Sequence, residues 1–174
     1  MGRLAGLSLA GPLLVRPQDM PTRDTVTVLS DWPPPGTGND GPAVRYGRGP
    51  TRLAYDTAES LVAVVTFPIC LQLLCGHPND EVLQSHPLYG KGLKYYSVHR
   101  IANSSRLAAL ERENSMHPRH DSTSYLENKQ HWVFTFQDCT IECLVFAPTG
   151  KEPFVTICKS WREAGILLES ADEA

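Results

Sequence analysis

The sequence predicts an α+β domain, an antiparallel sheet packed with short helices, over residues 51–174. It predicts a disordered, Pro/Gly-rich leader over residues 1–50. Three observations carry this. The first 50 residues hold 8 of the 14 prolines and 8 of the 13 glycines. Beyond them, short β-branched and aromatic runs recur. Between those runs lie short stretches bounded by Asn, Asp or Ser, the residues that cap helices. A length of 174 residues and an apolar fraction of 41% suit one domain with a real core.

In the leader, Thr25–Leu29 reads as one isolated strand, and Asp31–Pro50 as a Pro-rich linker around Trp32 and Pro33–Pro35. Met1-Gly2-Arg3 followed by Leu4–Val15 has the outline of a signal sequence. It lacks a small-x-small cleavage site, Pro12 interrupts it, and it is too short to span a bilayer. A cytoplasmic location is the expectation.

From residue 51, Arg52–Tyr55 and Leu61–Phe67 read as strands joined by a turn. The second is apolar almost throughout, as for a strand covered on both faces. Pro68 suits the first turn of a helix over Pro68–Cys75, which Gly76 ends. Asn79 caps a short helix over Asp80–Ser85. Leu93–Ile101 alternates as a strand with His99 and Ile101 on one face. Asn103, Ser104 or Ser105 caps a helix over Arg106–Asn114, which Pro118 stops; Asp121 or Ser122 caps another through Glu127. His131–Phe136 and Cys139–Phe146 form a hairpin about Gln137-Asp138. It sets Trp132, Phe134 and Phe136 against Cys143, Ile141 and Cys139 on one apolar face. Phe154–Ile157 is a last strand and Ser160–Ala171 a terminal helix.

Several chemistries are excluded. The chain has no G-x-S-x-G elbow, no Walker loop and no dinucleotide fingerprint. Net charge is -3 with no basic block, so no nucleic-acid partner is expected. The five cysteines are an odd number without a C-x-x-C pair, which fits a reducing compartment. Cys139 and Cys143 would be about 13 Å apart on one strand, and Cys70 and Cys75 diverge on a helix. Core packing is favoured for all four over catalysis or metal binding.

Two constellations remain. His117, His120 and Asp121 have spacing and donor types suited to a divalent metal, although Pro118 rules out the helical display of an H-E-x-x-H site. The structural alternative is favoured: His117 bonded to backbone, Arg119 paired with Glu111 or Asp121, and Asp121 capping a helix. His131 and Glu142 are diagonal neighbours on the hairpin. They suit a general base and its orienter, with a solvated cross-strand ion pair as the favoured alternative.

Between Val64 and Val145 the segments VTFPICLQLLCGHPND, HPLYGKGLKYYSVHRI, LERENSMHPRHD and HWVFTFQDCTIEC carry a resemblance. The chain resembles an uncharacterised family of small bacterial proteins. No activity is assigned to that family, so the resemblance implies no catalytic residue or cofactor.

The expected function is a non-enzymatic accessory or binding protein for a protein or small-molecule partner. Its recognition surface is the His117–Asp121 loop, with Arg119 and His120 as contacts. The alternative is a small metal-dependent, hydrolase-like enzyme that holds its metal at His117, His120 and Asp121 and uses His131 or Glu142 as base.

Overall fold

The computed structural model describes residues 24–38 and 41–170. The fold is α+β, and its strands form two antiparallel sheets. One has five strands in the order β1 (Thr25–Val28), β6 (Val98–Ala102), β7 (Lys129–Thr135), β8 (Thr140–Phe146), β5 (Ile69–Gly76). The other has four, in the order β2 (Ala43–Arg45), β3 (Thr51–Asp56), β4 (Val62–Phe67), β9 (Phe154–Cys158).

The sheets meet through alternate residues. Leu53, Tyr55, Val65 and Phe67 of β3 and β4 pack on Trp132, Phe134, Ile141 and Cys143 of β7 and β8. Edge-on and stacked aromatic contacts fill this layer, including Phe67–Phe134 at 6.1 Å and Phe134–Phe136 at 6.4 Å. The opposite face of β4, with Val62 and Val64, lies under α3 (Trp161–Glu169). Every residue of β4 is buried, as its unbroken apolar run requires.

Arg52 is also buried beneath α3 and donates to the Ser170 carbonyl at 2.6 Å. It satisfies the C-terminal end of that helix, where a positive charge is favoured. The outer face of the five-stranded sheet is covered by the 3₁₀ segment Asp80–Ser85, the turn that follows it, and α1 (Ser105–Asn114). Leu83, Leu88 and Leu93 pack there on Ile101 and Val133.

The β7–β8 hairpin has the expected register, with Trp132 opposite Cys143 and Phe134 opposite Ile141. Ser104 caps α1, Asp121 caps α2 (Ser122–Leu126) and Ser160 caps α3.

Three expectations change. Residues 69–76 form strand β5, not a helix. They pair with β8 from Ile69 opposite Phe146 to Gly76 opposite Thr140, with a bulge between Cys70 and Gln72. Pro68 and Gly76 suit the two ends of a helix, but here they flank and end a strand fixed by its pairing with β8. The predicted strand from Leu93 shortens to β6, because Gly92 and Tyr96 take positive φ and Leu93–Ser97 loops over the sheet.

The packed chain also begins before residue 51. β1 pairs with β6 and is not isolated, and β2 pairs with β3. Asp24 accepts from the Ser105 amide and from Lys91. Between the strands, Tyr55 donates to the Pro33 carbonyl and Ala58 to that of Pro34. Prolines stiffen the unfolded chain and keep their carbonyl acceptors, so a Pro-rich segment docks at low entropic cost. The signal-like stretch over residues 4–15 lies outside the described residues. No helix among the described residues is long and apolar enough to cross a membrane.

Candidate functional site

Two polar groups concentrate the ionisable chemistry. The first lies between the five-stranded sheet and its covering segments, centred on Glu142. That carboxylate receives three hydrogen bonds, from His131 Nε2 at 2.9 Å, His86 Nε2 at 3.4 Å and Arg106 Nη2 at 3.2 Å, and Arg106 Nε makes an ion-pair contact at 2.8 Å. His131, His86, Glu142 and Ser104 are all buried, and only Arg106 reaches solvent.

The expected diagonal of His131 and Glu142 is present, but it is not solvated. The turn bearing His86 and the start of α1, with Ser104 and Arg106, cover it. Burial raises the Glu142 carboxyl, while the bonds from His131 and His86 and the Arg106 charge more than offset this. They hold it well below the usual carboxylate range.

The protons in this group can be followed from atom to atom. The Leu88 amide donates to His86 Nδ1, so Nε2 carries the proton toward Glu142. The Leu107 amide donates to Ser104 Oγ at 3.1 Å. That hydroxyl, 2.8 Å from His131 Nδ1, donates to the ring, and His131 Nε2–H donates to Glu142. The Arg106 charge balances the carboxylate.

The order Ser104–His131–Glu142 has the polarity of a nucleophile–base–orienter chain. Its hydroxyl, however, is buried and already caps α1. Each polar atom of the group has its partner, as a buried network needs if it is to stabilise a fold.

His99 stands apart from this group. It accepts from the Lys94 amide through Nε2 and donates through Nδ1 to the Val133 carbonyl. Burial lowers its pKa to about 4, so the ring is neutral.

The second group is the turn between α1 and α2. The residue types expected there are present, but they do not converge. His117 Nδ1 accepts from the Arg119 amide at 3.2 Å. His120 turns the other way: Asn114 donates to its Nδ1 at 3.0 Å, and its Nε2 donates to Glu111 at 2.7 Å. Asp121 accepts from the Ser124 amide as the cap of α2. Among the described residues no three His, Cys, Asp or Glu side chains are grouped to hold a metal ion. His120 takes the bond to Glu111 that was expected of Arg119, and Arg119 is exposed.

Sequence reasoning missed His86 and Arg106 as partners of Glu142, and Ser104 as the partner of His131. His86 lies 56 positions away in the chain, and no local spacing announces such a contact. The serine was legible as a cap, though not as the relay to His131.

Comparison with protein-family models, with curated proteins and with solved structures finds no match.

Proposed function

We propose that the protein acts by binding a partner rather than by catalysis, through the turn over residues 115–121. The observation that carries this reading is a braced and exposed surface. Ser115, Met116, His117, Pro118 and Arg119 are all exposed, and Met116 is 88% exposed. His120 behind them is tied to Glu111 and Asn114, while Ser122 bonds the same Glu111 at 2.5 Å. A turn held in place by its own side chains loses little entropy when it docks. Met116 supplies an adaptable apolar contact and Arg119 a planar donor set for a carboxylate or phosphate. In this reading His120 positions the surface and Arg119 touches the partner.

The Glu142 group supports the same division of labour. Its hydrogen bonds are complete and its serine is covered, which suits a structural role better than turnover. The metal-dependent alternative needs His117, His120 and Asp121 to converge, and each is committed to a different neighbour.

The test compares partners captured by the wild-type protein and by the combined His120→Ala, Arg119→Ala variant. A partner held by the wild type and lost from the variant, with an unchanged circular dichroism spectrum, is the expected result. Retention of every partner by the folded variant rejects this surface.

A further inference from the structure

β5 is an edge strand of the five-stranded sheet, and it pairs with β8, which carries Cys143. Cys70 lies opposite Val145 and Leu73 opposite Cys143, so Cys70 and Cys143 are diagonal neighbours on the core side. In a regular ladder such a diagonal is about 7–8 Å, longer than a disulfide spans. The ladder is not regular here. The bulge falls beside Cys70, and a bulge re-aims the side chains next to it. The side chains of Cys70 and Cys143 interact across the ladder, and the Cys70 thiol donates to the Gln72 carbonyl at 3.3 Å. The Thr51 side chain reaches the same sulfur.

The two sulfurs differ in access and in acidity. Cys143 is fully buried and Cys70 partly exposed. Cys70 borders a depression of about 560 Å³ that is also lined by Tyr46, Gly49, Pro50, Thr51 and Ile69. The neighbouring Cys143 side chain holds the Cys70 thiol below its ordinary value against the opposing effect of burial. The Cys70 side chain, and burial after it, hold the Cys143 thiol well above its own. An accessible sulfur that ionises beside a covered one that keeps its proton is the division between an attacking and a resolving cysteine.

We propose that Cys70 is a peroxide-reactive thiol and Cys143 its resolving partner, the two closing into a disulfide that links β5 to β8. In the first step the Cys70 sulfur attacks one oxygen of hydrogen peroxide. The O–O bond breaks, Cys70 becomes a sulfenic acid, and the other oxygen leaves as water. In the second, the Cys143 sulfur attacks the Cys70 sulfur. The S–S bond forms, the S–O bond breaks, and the departing hydroxide takes the Cys143 proton as a second water. The two thiols lose two electrons and the peroxide gains them. The neighbouring contact between Cys75 and Cys139 provides an internal comparison, because burial pushes the Cys139 thiol up to about 12.

The test treats the full-length protein with stoichiometric hydrogen peroxide, blocks residual thiols with N-ethylmaleimide and digests without reduction. The expected product is a peptide pair joined through Cys70 and Cys143, lighter than its free peptides by two hydrogens. Cys70→Ser changes a partly exposed side chain, and it should slow peroxide consumption by at least about tenfold, because the ionised thiol is the reactive form. Cys143→Ala should leave a Cys70 sulfenic acid that dimedone captures. If that buried substitution unfolds the protein, the wild-type peptide map and the Cys70→Ser rate decide alone. Singly oxidised Cys70 with no link in the wild type, a link through Cys75 and Cys139 instead, or an unchanged rate in Cys70→Ser would each overturn the proposal.

Discussion

Ser104 and His131 share a 2.8 Å hydrogen bond between the cap of α1 and the middle of β7. Through His131 that bond continues to Glu142, so the start of a helix and the centre of a sheet are joined by one run of protons. This run lies between the two layers that it joins, and the predictions concerning it are predictions about stability.

Glu142→Ala removes the acceptor that His86 Nε2, His131 Nε2 and Arg106 share. Truncating one partner of a buried charged network costs about 3 kcal/mol, roughly 10 °C in Tm for a domain of this size. Thermal melts followed by circular dichroism check this. A loss of only a degree or two would mean that the group is hydrated and dispensable.

The same carboxylate sets an acid limit. Its pKa is lowered on folding, so its contribution is full above its ordinary value of 4.5 and declines as pH falls further toward the folded value. Wild-type stability should therefore fall below about pH 4.5. Glu142→Gln, which cannot ionise, should show a shallower decline over that range in urea titrations at stepped pH.

His99 acts in a higher window. Folding lowers its pKa from 6.5 to about 4. The unfolded chain therefore takes up a proton that the folded chain refuses. Stability from this group is complete above pH 6.5 and falls by up to about 1.4 kcal/mol per pH unit as pH drops toward 4. The cost of His99→Gln should consequently shrink between pH 7 and pH 4. Parallel profiles for variant and wild type would exclude this contribution.

Arg52→Met keeps the apolar stem and removes the bond to the Ser170 carbonyl. A lost hydrogen bond from a charged group costs about 2 kcal/mol. The loss should concentrate at the end of α3, where amide exchange of residues 166–170 should accelerate more than that of β4.

Most of the fold was legible from local pattern. The β7–β8 register follows from strict alternation about a two-residue turn, and the caps Ser104 and Asp121 are among the alternatives that the sequence offers. What misled was pattern altered by tertiary structure. Pro68 and Gly76 suit the start and the end of a helix, yet the segment they mark pairs with β8 as strand β5. A Pro/Gly-rich composition concealed β1 and β2, whose partners lie elsewhere in the chain. The candidate site divides in the same way. His131 and Glu142 lie on one hairpin, and their contact was readable. Their burial depends on His86, Ser104 and Arg106, which arrive from other elements. Spacing within one segment carries no information on Cys70 and Cys143, which only the pairing of β5 with β8 brings together.

Pro68 alone separates β4 from β5, so a single run of backbone leaves the four-stranded sheet and enters the edge of the five-stranded one. That continuity makes the two layers one mechanical unit. Tension on either sheet passes along the same covalent path to the other, and neither can peel away while the second stays intact. Slow amide exchange in β4 and β8 should therefore report one shared opening, with a common free energy and a common dependence on denaturant.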